Sequence, residues 1–447
     1  MFLVSLKKFI PRPIRNLRHF FYAWYGAVKY HYPSEEMFVI GVTGTTGKSS
    51  IIYFLRQVLE SAGLKVGSLS TVDFYVAGET KMNDQKMTML GKMQIQMYLR
   101  EMADKGCQIA IIETTSEGYL QYRHRFINFD TIILTDLYPE HVEAHGGFEN
   151  YKKAKLNIFD YVSKSRRKNA HGKLIEKTAV VNANNQYAGE FLLFAFEKKI
   201  IFGREDKNNF TAGLQIQLDI NVISSKHIVD EHGLHFFVGG TDFDAPLFGE
   251  YNIVNLLAVI ALARGLDISW SIIQKSINNI KPAPGRIEFI SEAEKFGFKI
   301  VVDYAFEPNA LVGLYQAIDL LPHKRIIHVC GSTGGGRDTS RREPIGKLVG
   351  QKADVVIATD EDPYDENPME IIKQVSLGAQ AVGKILDQNL FEILDRHEAI
   401  NRAVTLAQKG DIVLITGKGC EQAMCISDNT KIPWDDRQIA REALKLL

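Results

Sequence analysis

The stretch "GVTGTTGKSS", residues 41–50, decides the fold of the amino-terminal part of the chain. The apolar run "MFVIGV" (37–42) leads into it and is typical of a buried parallel strand. "SSIIYFLRQVLESAG" (49–63) follows with helical spacing and a terminal glycine. Glycines let backbone amides turn toward phosphate oxygens, and the start of the helix adds partial positive charge. The strand–loop–helix order therefore predicts a loop that binds nucleotide phosphates.

This loop departs in one place from the pattern G-x-x-x-x-G-K-S, because Val42 occupies the position of the first glycine. We expect Lys48 to reach the outer phosphates and the Ser49 hydroxyl to bind magnesium. The residues predicted to contact the nucleotide are Gly44, Thr45, Thr46, Gly47, Lys48, Ser49 and Ser50.

Further strands place this loop in an α/β fold. "QIAIIET" (108–114) and "FDTIILTDL" (129–137) read as two more buried strands, so the alternation predicts a doubly wound parallel sheet with ligands at the carboxyl ends of its strands. Residues 221–249 switch to period-two alternation and predict a small antiparallel section. After "KPAPGRIEFI" (281–290), strand-like runs alternate again with helical stretches and predict a second, Rossmann-like α/β domain. We expect an amino-terminal segment (1–36), a central ATP-binding domain (37–282) and a carboxyl-terminal amino-acid-binding domain (283–447).

Composition limits the classes of function. A chain of 447 residues is expected to hold two or three domains, and its hydrophobic content of 45% is that of a globular protein. The net charge is zero, which gives no electrostatic reason to expect a nucleic-acid partner. The four cysteines form no zinc-binding spacing and indicate a reducing, cytoplasmic compartment.

The amino-terminal segment is basic and aromatic. No acid precedes Glu35, and the apolar run 20–28 is shorter than the roughly 20 residues that span a bilayer. The segment is interpreted as a helix packed against the main body or as a peripheral contact with the inner face of an anionic membrane through residues 1–34. Its cations are Lys7, Lys8, Arg12, Arg15, Arg18 and Lys29.

Eight motifs occur in the order typical of one enzyme family. They are "GTTGKSS", "ETTSEG", "TDLYPEHVEAHGGFENYKKAK", "GEYNIVN", "PGRIE", "VVDYA", "GGGRDTSRREPIG" and "GKGCE". In this order the chain resembles the Mur ligase family, most closely its tripeptide-synthetase branch, over residues 37–447. The resemblance implies an ADP-forming ligase that joins an amino acid to the carboxylate of a muramoyl-peptide precursor through an acyl phosphate, in peptidoglycan biosynthesis.

The resemblance also implies roles for single residues. Glu113 would bind the first of two magnesium ions together with Ser49, and His141 would bind the second. Lys155 would carry a carbamate, which turns an amine into the anionic oxygen donor that magnesium prefers. The family's nucleotide contacts correspond to Asn252, Asn255, Arg286 (phosphate) and Asp303 (ribose).

Several positions depart from the family pattern. Asp136 and Glu140 stand where the family has an asparagine and an aspartate. Phe306 stands where the family has a histidine, and its aromatic ring can still stack on adenine. In "TDEDPYDENP" (359–368), Tyr364 stands where the diaminopimelate-adding enzymes carry a carboxylate-binding arginine, and the surrounding acids favour an amine-bearing side chain such as that of lysine. Arg341 and Arg342 stay open as carboxylate partners, and Cys420 replaces a histidine. The residues expected to contact the amino acid are Arg337, Glu361, Asp362, Tyr364, Gly417 and Glu421.

The sequence leaves open the linkage of the acceptor and two alternative functions. The family normally carries a UDP-binding domain before the phosphate-binding loop, where this chain has residues 1–40, so the acceptor is expected to be either UDP-linked or lipid-linked. The first alternative is a folylpolyglutamate-, poly-γ-glutamate- or cyanophycin-type ligase, and the second is a non-catalytic ATP-binding partner. "TDEDPYDENP" and "GKGCE" favour the peptidoglycan branch, and the joint presence of Lys48, Glu113, His141 and Lys155 favours an enzyme.

Overall fold

The computed structural model describes residues 12–85, 87–139, 145–170, 172–211, 213–335 and 339–447, without the side chains of 12–15 and 429. Two compact units divide the chain. The first unit comprises Met1–Ile228, His235–Pro246 and Asn252–Ile280. The second unit comprises Val229–Leu234, Leu247–Tyr251 and Lys281–Leu447.

The first part of the chain alternates helices with short strands. Its helices are α1 (Arg12–Lys29), α2 (Lys48–Ser61), α3 (Lys92–Asp104), α4 (Ser116–Leu120), α5 (Phe148–Ser163), α6 (Ala188–Leu192), α7 (Tyr251–Gly265) and α8 (Trp270–Ile277). Its strands are β1 (Phe38–Thr43), β2 (Val66–Leu69), β3 (Asp73–Val76), β4 (Glu79–Met82), β5 (Ile109–Glu113), β6 (Thr131–Leu134), β7 (Asn169–Ala170), β8 (Lys173–Leu174), β9 (Thr178–Asn182), β10 (Lys198–Arg204), β11 (Ile220–Asp230), β12 (Gly233–Val238) and β13 (Thr241–Ala245).

Within the described residues eleven of these thirteen strands build one sheet in the order β13-β12-β11-β10-β9-β6-β1-β5-β2-β3-β4, and β7 pairs with β8 in a separate two-stranded sheet. Strand β1 pairs in parallel with β5 on one side and β6 on the other, with Val42 opposite Glu113 and Thr43 opposite Leu134. The carboxyl ends of three neighbouring strands therefore meet where the predicted phosphate-binding loop begins. The pairs β2/β3 and β3/β4 are antiparallel, an extension that the sequence patterns did not predict.

Burial explains why these segments fold as they do. Residues Val39 to Thr43 of β1 are all buried, as expected for a central parallel strand covered on both faces. Helix α7 is apolar around most of its circumference, and its side chains from Asn255 to Ala263 are all buried. Helix α2 begins after Gly47, which adopts a left-handed conformation. Because glycine has no side chain, no side-chain cap covers the amino-terminal end of the helix.

The second unit holds its own sheet and core. Its helices are α9 (Pro308–Ile318), α10 (Arg342–Lys352), α11 (Pro368–Gln380), α12 (Arg396–Leu406) and α13 (Asp436–Leu444), and its strands are β14 (Glu288–Phe289), β15 (Lys299–Asp303), β16 (Ile326–Cys330), β17 (Val355–Thr359), β18 (Leu390–Ile393), β19 (Ile412–Thr416), β20 (Ala423–Ile426) and β21 (Thr430–Pro433). The described residues form a six-stranded sheet in the order β14-β15-β19-β16-β17-β18, parallel except for β14. Its apolar clusters lie on the two faces of this sheet. The predicted fold class, a doubly wound sheet with a phosphate-binding loop followed by a second α/β domain, is confirmed.

Helix α1 packs against the first unit through its small residues. Ala23, Gly26 and Ala27 are buried, and a Cβ atom at Gly26 would lie 3.3 Å from the Cα of Met93 at the start of α3. The aromatic side chains of the helix are instead about half exposed, including Phe21 and Trp24, although the Phe20 ring also packs 5.2 Å from that of Phe126. The interpretation as a packed helix is confirmed. None of the helices in the described part of the chain is both long and apolar enough to cross a membrane.

Candidate functional site

The phosphate-binding loop needs glycine at two positions. Gly44 has φ 152° and Gly47 has φ 78°, values that side-chain-bearing residues rarely adopt. A Cβ at Gly44 would lie 1.8 Å from the Thr135 hydroxyl, and one at Gly47 would lie 2.4 Å from Oδ1 of Asn255. Both positions thus combine a glycine conformation with a close approach of other side chains, which explains the spacing of the motif.

The end of β6 holds the loop in place. The Thr135 hydroxyl donates to the Thr46 carbonyl at 2.5 Å, and the Thr45 amide donates to the Asp136 carbonyl at 2.8 Å. The Asp136 side chain accepts from the Asn185 amide at 2.5 Å and from the Leu137 amide at 2.8 Å, and burial raises the pKa of its carboxyl. An acceptor oxygen is what this position uses, so aspartate serves here in place of asparagine.

Ser49 and Glu113 meet beside the loop. The Ser49 hydroxyl donates to Oε2 of Glu113 at 3.0 Å, and the same oxygen accepts from the Thr71 amide at 2.7 Å and the Thr71 hydroxyl at 3.0 Å. Glu113 is 1% exposed. With magnesium–oxygen distances of about 2.1 Å, adjacent ligands of an octahedral ion are about 3.0 Å apart. The spacing and chemistry of this pair therefore fit two neighbouring ligands of one magnesium ion, and Thr71 is a contact that sequence reasoning missed.

Two lysines converge on one carbonyl of the loop. Lys48 Nζ donates to the Gly44 carbonyl at 3.1 Å and to the Thr45 carbonyl at 2.8 Å. Lys155, on α5, is 1% exposed and donates to the Gly44 carbonyl at 2.8 Å. The Tyr151 ring lies 4.7 Å from Lys155 Nζ, and its hydroxyl is 3.2 Å from that of Thr45. The structure thus brings Lys155 to the same loop as Lys48, although the two lysines are 107 positions apart in the sequence.

The histidine expected on the second metal, His141, lies outside the described residues, as does Glu140. Another histidine, His145, lies within them, with Nε2 3.1 Å from the Ser116 hydroxyl and its ring 5.2 Å from that of Tyr151. Sequence reasoning did not select it, although it stands in the same motif. Within the described residues there is no group of three His, Cys, Asp or Glu side chains that could hold a metal ion.

Helix α7 contributes the two predicted asparagines. The Asn255 side chain donates to Oδ1 of Asn252 at 2.9 Å, and its own Oδ1 lies against Gly47. The structure therefore brings Asn255 to the phosphate-binding loop. A side chain with both a donor and an acceptor there suits contact with a nucleotide.

In the second unit, Arg286 and Asp303 lie at the same end of β15. The Asp303 carboxylate accepts from the Ile287 amide and the Ala305 amide, both at 2.7 Å, and is 6% exposed. These bonds tie the loop that carries Arg286 to the end of the strand, a positioning role that the geometry shows directly. The Arg286 guanidinium lies 4.5 Å from the centre of the Tyr304 ring.

A buried lysine organises the expected amino-acid site. Lys418 Nζ donates to both carboxylate oxygens of Asp362, at 3.0 and 3.1 Å, and to Oε2 of Glu421 at 2.6 Å. Lys418 is fully buried, so Asp362 and Glu421 have their positions fixed by one cation. The Tyr304 hydroxyl donates to the other oxygen of Glu421 at 3.2 Å. Sequence reasoning selected Asp362 and Glu421 but missed Lys418, which stands between Gly417 and Gly419 in the same motif.

Glu361 is the most unusual carboxylate of this unit. It is 2% exposed, its Oε2 has no hydrogen-bond partner among the described residues, and a Cβ at Gly417 would lie 2.3 Å from that oxygen. Burial raises the pKa of the Glu361 carboxyl to about 7, and the neighbouring charge of Asp362 adds to the effect. Such a group is typical of a binding site rather than of a structural core.

The other residues expected near the amino acid differ in how they are engaged. Tyr364 adopts the left-handed conformation with φ 51°, which is rare for a bulky residue. Arg342 is buried and pairs with Glu366 at 2.8 Å, so its charge is already used within the fold. Arg341 lies 5.3 Å from the Phe306 ring. Arg337 lies outside the described residues.

Comparison with known proteins decides the family. The model described as Mur ligase middle domain matches residues 42–263, and the model described as Mur ligase, glutamate ligase domain matches residues 285–419. A UDP-N-acetylmuramyl-tripeptide synthetase of Roseiflexus sp. is 32% identical over 94% of this chain and 80% of its own length. The chain belongs to the Mur ligase family.

Other relatives agree with this assignment. A UDP-N-acetylmuramoyl-L-alanyl-D-glutamate--2,6-diaminopimelate ligase of Clostridium acetobutylicum is 30% identical over 93% of this chain and 80% of its own length. A solved structure of such a diaminopimelate ligase aligns with a TM-score of 0.58 and 24% identity over 92% of this chain and 78% of that one. The resemblance inferred from the eight motifs, and with it the expectation of a ligase, is confirmed.

Proposed function

We propose that this Mur ligase joins an amino acid to the carboxylate of a muramoyl-peptide precursor, with ATP as the energy source and ADP and phosphate as products. The observation that carries the proposal is the arrangement at the phosphate-binding loop, where the Ser49–Glu113 pair stands at one side and buried Lys155 at the other. The names of the relatives supply the class of acceptor, a UDP-linked muramoyl peptide. The central domain (37–282) would bind ATP, and the carboxyl-terminal domain (283–447) would bind the amino acid.

The reaction follows from the chemistry of an acyl phosphate. The acceptor carboxylate attacks the γ-phosphorus of ATP, ADP leaves, and the amine of the amino acid then attacks the acyl carbon, so that phosphate leaves and the nitrogen loses a proton. Both steps place negative charge on phosphoryl oxygens, which Lys48 and Arg286 are suited to stabilise as cations. Gly44, Thr45, Thr46, Gly47 and Ser50 would contact the phosphates, and Asn252, Asn255 and Asp303 the rest of the nucleotide.

Metal binding is part of the proposal. Ser49 and Glu113 would hold one magnesium ion, and a carbamate on Lys155 would hold a second together with His141. Magnesium, when bound, neutralises charge on the phosphates that flank the transferred phosphoryl group. Lys155 supports this role because its amine is buried next to the loop and is in position to present a carbamate there.

The side chain of the amino acid is proposed to carry an amine. Glu361 and Asp362 place carboxylates where the diaminopimelate-adding enzymes have aspartate and asparagine, and Tyr364 replaces their arginine. An ammonium group near Oε2 of Glu361 would supply the partner that this oxygen does not find among the described residues. We therefore propose lysine or ornithine ahead of diaminopimelate, with Glu421, Gly417 and Arg337 as further contacts.

A peripheral membrane contact is proposed for helix α1. Its aromatic side chains are about half exposed, no acid occurs in residues 1–34, and aromatic rings with neighbouring cations suit the interface of an anionic bilayer. Cosedimentation of the intact protein with phosphatidylglycerol vesicles tests this contact. Equal recovery with neutral phosphatidylcholine vesicles would contradict it.

The test of the function is phosphate release from ATP and magnesium in the presence of UDP-N-acetylmuramoyl-dipeptide and one amino acid at a time: lysine, ornithine, diaminopimelate or glutamate. Release that requires both the acceptor and one amine-bearing amino acid supports the proposal. Release with a folate or with a glutamate polymer in place of the muramoyl peptide would favour the alternative ligase class. Binding of ATP with no release under any of these conditions would favour a non-catalytic ATP-binding partner.

A further inference from the structure

An open cavity of about 350 Å³ lies in the first unit between helix α1 and the beginning of helix α3. Arg18 and Tyr22 line it from α1, and Gly91, Lys92, Met93 and Gln94 line it from the other side. It is separate from the phosphate-binding loop, and none of the residues assigned above to ATP, magnesium or the amino acid contributes to it.

The charge of this cavity is positive and uncompensated. Arg18 and Lys92 line it, and no acidic residue does. Within the part of the chain that the structure describes, neither cation has a carboxylate within ion-pair distance. Burial first, and then the charges of Arg123 and Arg18, lower the pKa of Lys92 to about 8. Like charges that face one cavity without a counter-charge repel each other, so an anion bound between them would be stabilised.

The beginning of α3 adds to this positive potential. Gly91 precedes the helix and has no side chain, the Gln94 side chain accepts from the Gly91 amide at 3.3 Å, and the first turn contains no acid. The first amides of an α-helix have no acceptor within the helix, and a helix of this length, 13 residues, carries partial positive charge at this end. The beginning of a helix and two cationic side chains thus border the same space.

Packing holds the two sides of the cavity in a fixed relation. The contact between Gly26 and Met93 is so close that a Cβ at residue 26 would lie 3.3 Å from the Cα of residue 93. Met93 is also a lining residue, so the same contact that docks α1 sets the width of the cavity. Arg123 lies near this region, since its guanidinium donates to the Met89 carbonyl.

We propose that this cavity binds the diphosphate of the muramoyl-peptide acceptor, with Arg18 and Lys92 as its charged contacts. The inference rests on the proposed function for the identity of the acceptor. A diphosphate carries enough charge to match two cations and a helix end, and it lies at the opposite end of such an acceptor from the reacting carboxylate. The diphosphate of a sugar nucleotide and that of a lipid-linked precursor share this chemistry.

The test uses the full-length double variant Arg18→Gln/Lys92→Gln and, as a matched control, Lys29→Gln, which removes a cation of the same helix that does not line the cavity. With the UDP-linked acceptor, the KM of the double variant should rise by about tenfold or more, the size of effect expected from losing two charge-assisted contacts, while kcat stays unchanged. With N-acetylmuramoyl-dipeptide, which has no diphosphate, the KM of all three proteins should agree. An equal rise for both acceptors, or no rise for either, would overturn the proposal.

A binding experiment separates failure of this inference from failure of the proposed function. Pyrophosphate is titrated by calorimetry into each protein that has first been saturated with magnesium and ADP, so that the phosphate-binding loop is occupied. Weaker binding to the double variant than to Lys29→Gln supports the cavity even if no ligase turnover is found. Equal pyrophosphate binding by both variants would show that the cavity does not hold the diphosphate. The same conclusion would follow if the double variant lost binding to phosphatidylglycerol vesicles but kept its pyrophosphate binding.

Discussion

The Ser49 hydroxyl donates a hydrogen bond to the Glu113 carboxylate, with 3.0 Å between the two oxygens, although the residues lie on different elements 64 positions apart. The relation follows from topology, because β1 and β5 are parallel neighbours and both run into the same edge of the sheet. Two oxygen donors at this spacing, buried beside a phosphate-binding loop, have the spacing of two adjacent ligands of an octahedral ion. The first prediction follows from this pair.

Substitution Glu113→Gln should lower phosphate release by about 100-fold or more and raise the magnesium concentration needed for half-maximal rate, because it removes an anionic ligand. The fold should be retained, since an amide oxygen still accepts from Ser49 and Thr71. Steady-state release at increasing magnesium measures both effects. Thr71→Val is the matched control: it removes a hydroxyl bonded to the same oxygen but no ligand, and we expect a smaller loss. Equal losses in the two variants would argue against a metal role for Glu113.

Lys155→Ala should abolish turnover while leaving the thermal midpoint of the apo protein close to that of the parent. If the lysine acts as a carbamate, small carboxylic acids that enter the space left by the side chain should restore part of the rate. The parent enzyme should lose activity in buffers freed of carbon dioxide and regain it with bicarbonate. Mass spectrometry of the native protein provides a readout besides activity, and rescue of Lys155→Ala by an amine rather than by a carboxylate would contradict the carbamate.

Gly47→Ala should prevent tight nucleotide binding. The new Cβ would lie 2.4 Å from Oδ1 of Asn255, and the left-handed backbone adds a strain of about 1–2 kcal/mol. Gly63→Ala is the control, because Gly63 has a similar φ of 82° but nothing within 4 Å of the added carbon. Both variants should lose stability through the backbone, and only Gly47→Ala should lose affinity for ATP, measured by calorimetry. Equal affinities in the two variants would show that the contact with Asn255 is not required.

The sequence predicted those features that local patterns encode. The loop at residues 41–50 carries its own glycine spacing, and the buried strands around it carry continuous apolar runs, so the fold class and the strand–loop–helix unit for which nucleotide binding is proposed were accessible. The antiparallel strands β3 and β4 were missed because "DFYV" and "ETKM" are too short to display a period. Their pairing is decided by neighbouring strands in the sheet.

The missed site residues have a common cause. Thr71 and Lys418 stand in no pattern that assigns them a role, and they matter because folding places them against Glu113 and between Asp362 and Glu421. A lysine surrounded by glycines reads from sequence as a solvated loop residue, whereas here it is fully buried. Contacts over long separations depend on packing, which the sequence of a single chain does not display.

A buried ionic cluster lies where β6 and β9 begin, since Asp130 and Lys177 immediately precede these strands. Lys168 and Lys177 are both buried and share one anion, Asp130, which lies 3.2 Å from Lys177 Nζ. Burial lowers the pKa of Lys168 to about 8 in spite of Asp130. Asp130→Asn leaves two buried cations without their counter-charge and should lower the free energy of unfolding at pH 7 by about 3–5 kcal/mol.

Chemical denaturation measures this loss. The control Asp160→Asn removes the partner of Lys164 at the surface and should change stability by less than about 1 kcal/mol. Because neutral lysines are less costly to bury, the deficit of Asp130→Asn should shrink when the pH is raised to about 10. A deficit independent of pH would indicate that lost hydrogen bonds, rather than charge, dominate.

Glu361 combines a cost in stability with a proposed role in binding the amino acid. Its pKa is raised from 4.5 to about 7, by burial first and by Asp362 next, against the opposing effects of Arg396, Lys418 and Arg341. The folded protein therefore binds a proton more tightly than the unfolded chain, so this contribution is fully present below pH 4.5 and is lost as the pH rises toward 7. The loss amounts to about 3 kcal/mol.

Glu361→Gln should consequently stabilise the apo protein at pH 8 by up to about 3 kcal/mol and leave it unchanged near pH 4. Thermal unfolding across this range measures the difference, and Glu370→Gln, an exposed carboxylate on α11, should show no such trend. The same substitution should raise the KM for an amine-bearing amino acid, because the ammonium group loses its anion. If the stability of parent and variant depends on pH in the same way, the group that takes up the proton on folding is not Glu361. If the KM is unchanged, Glu361 does not contact the amino acid, although its effect on stability can still hold.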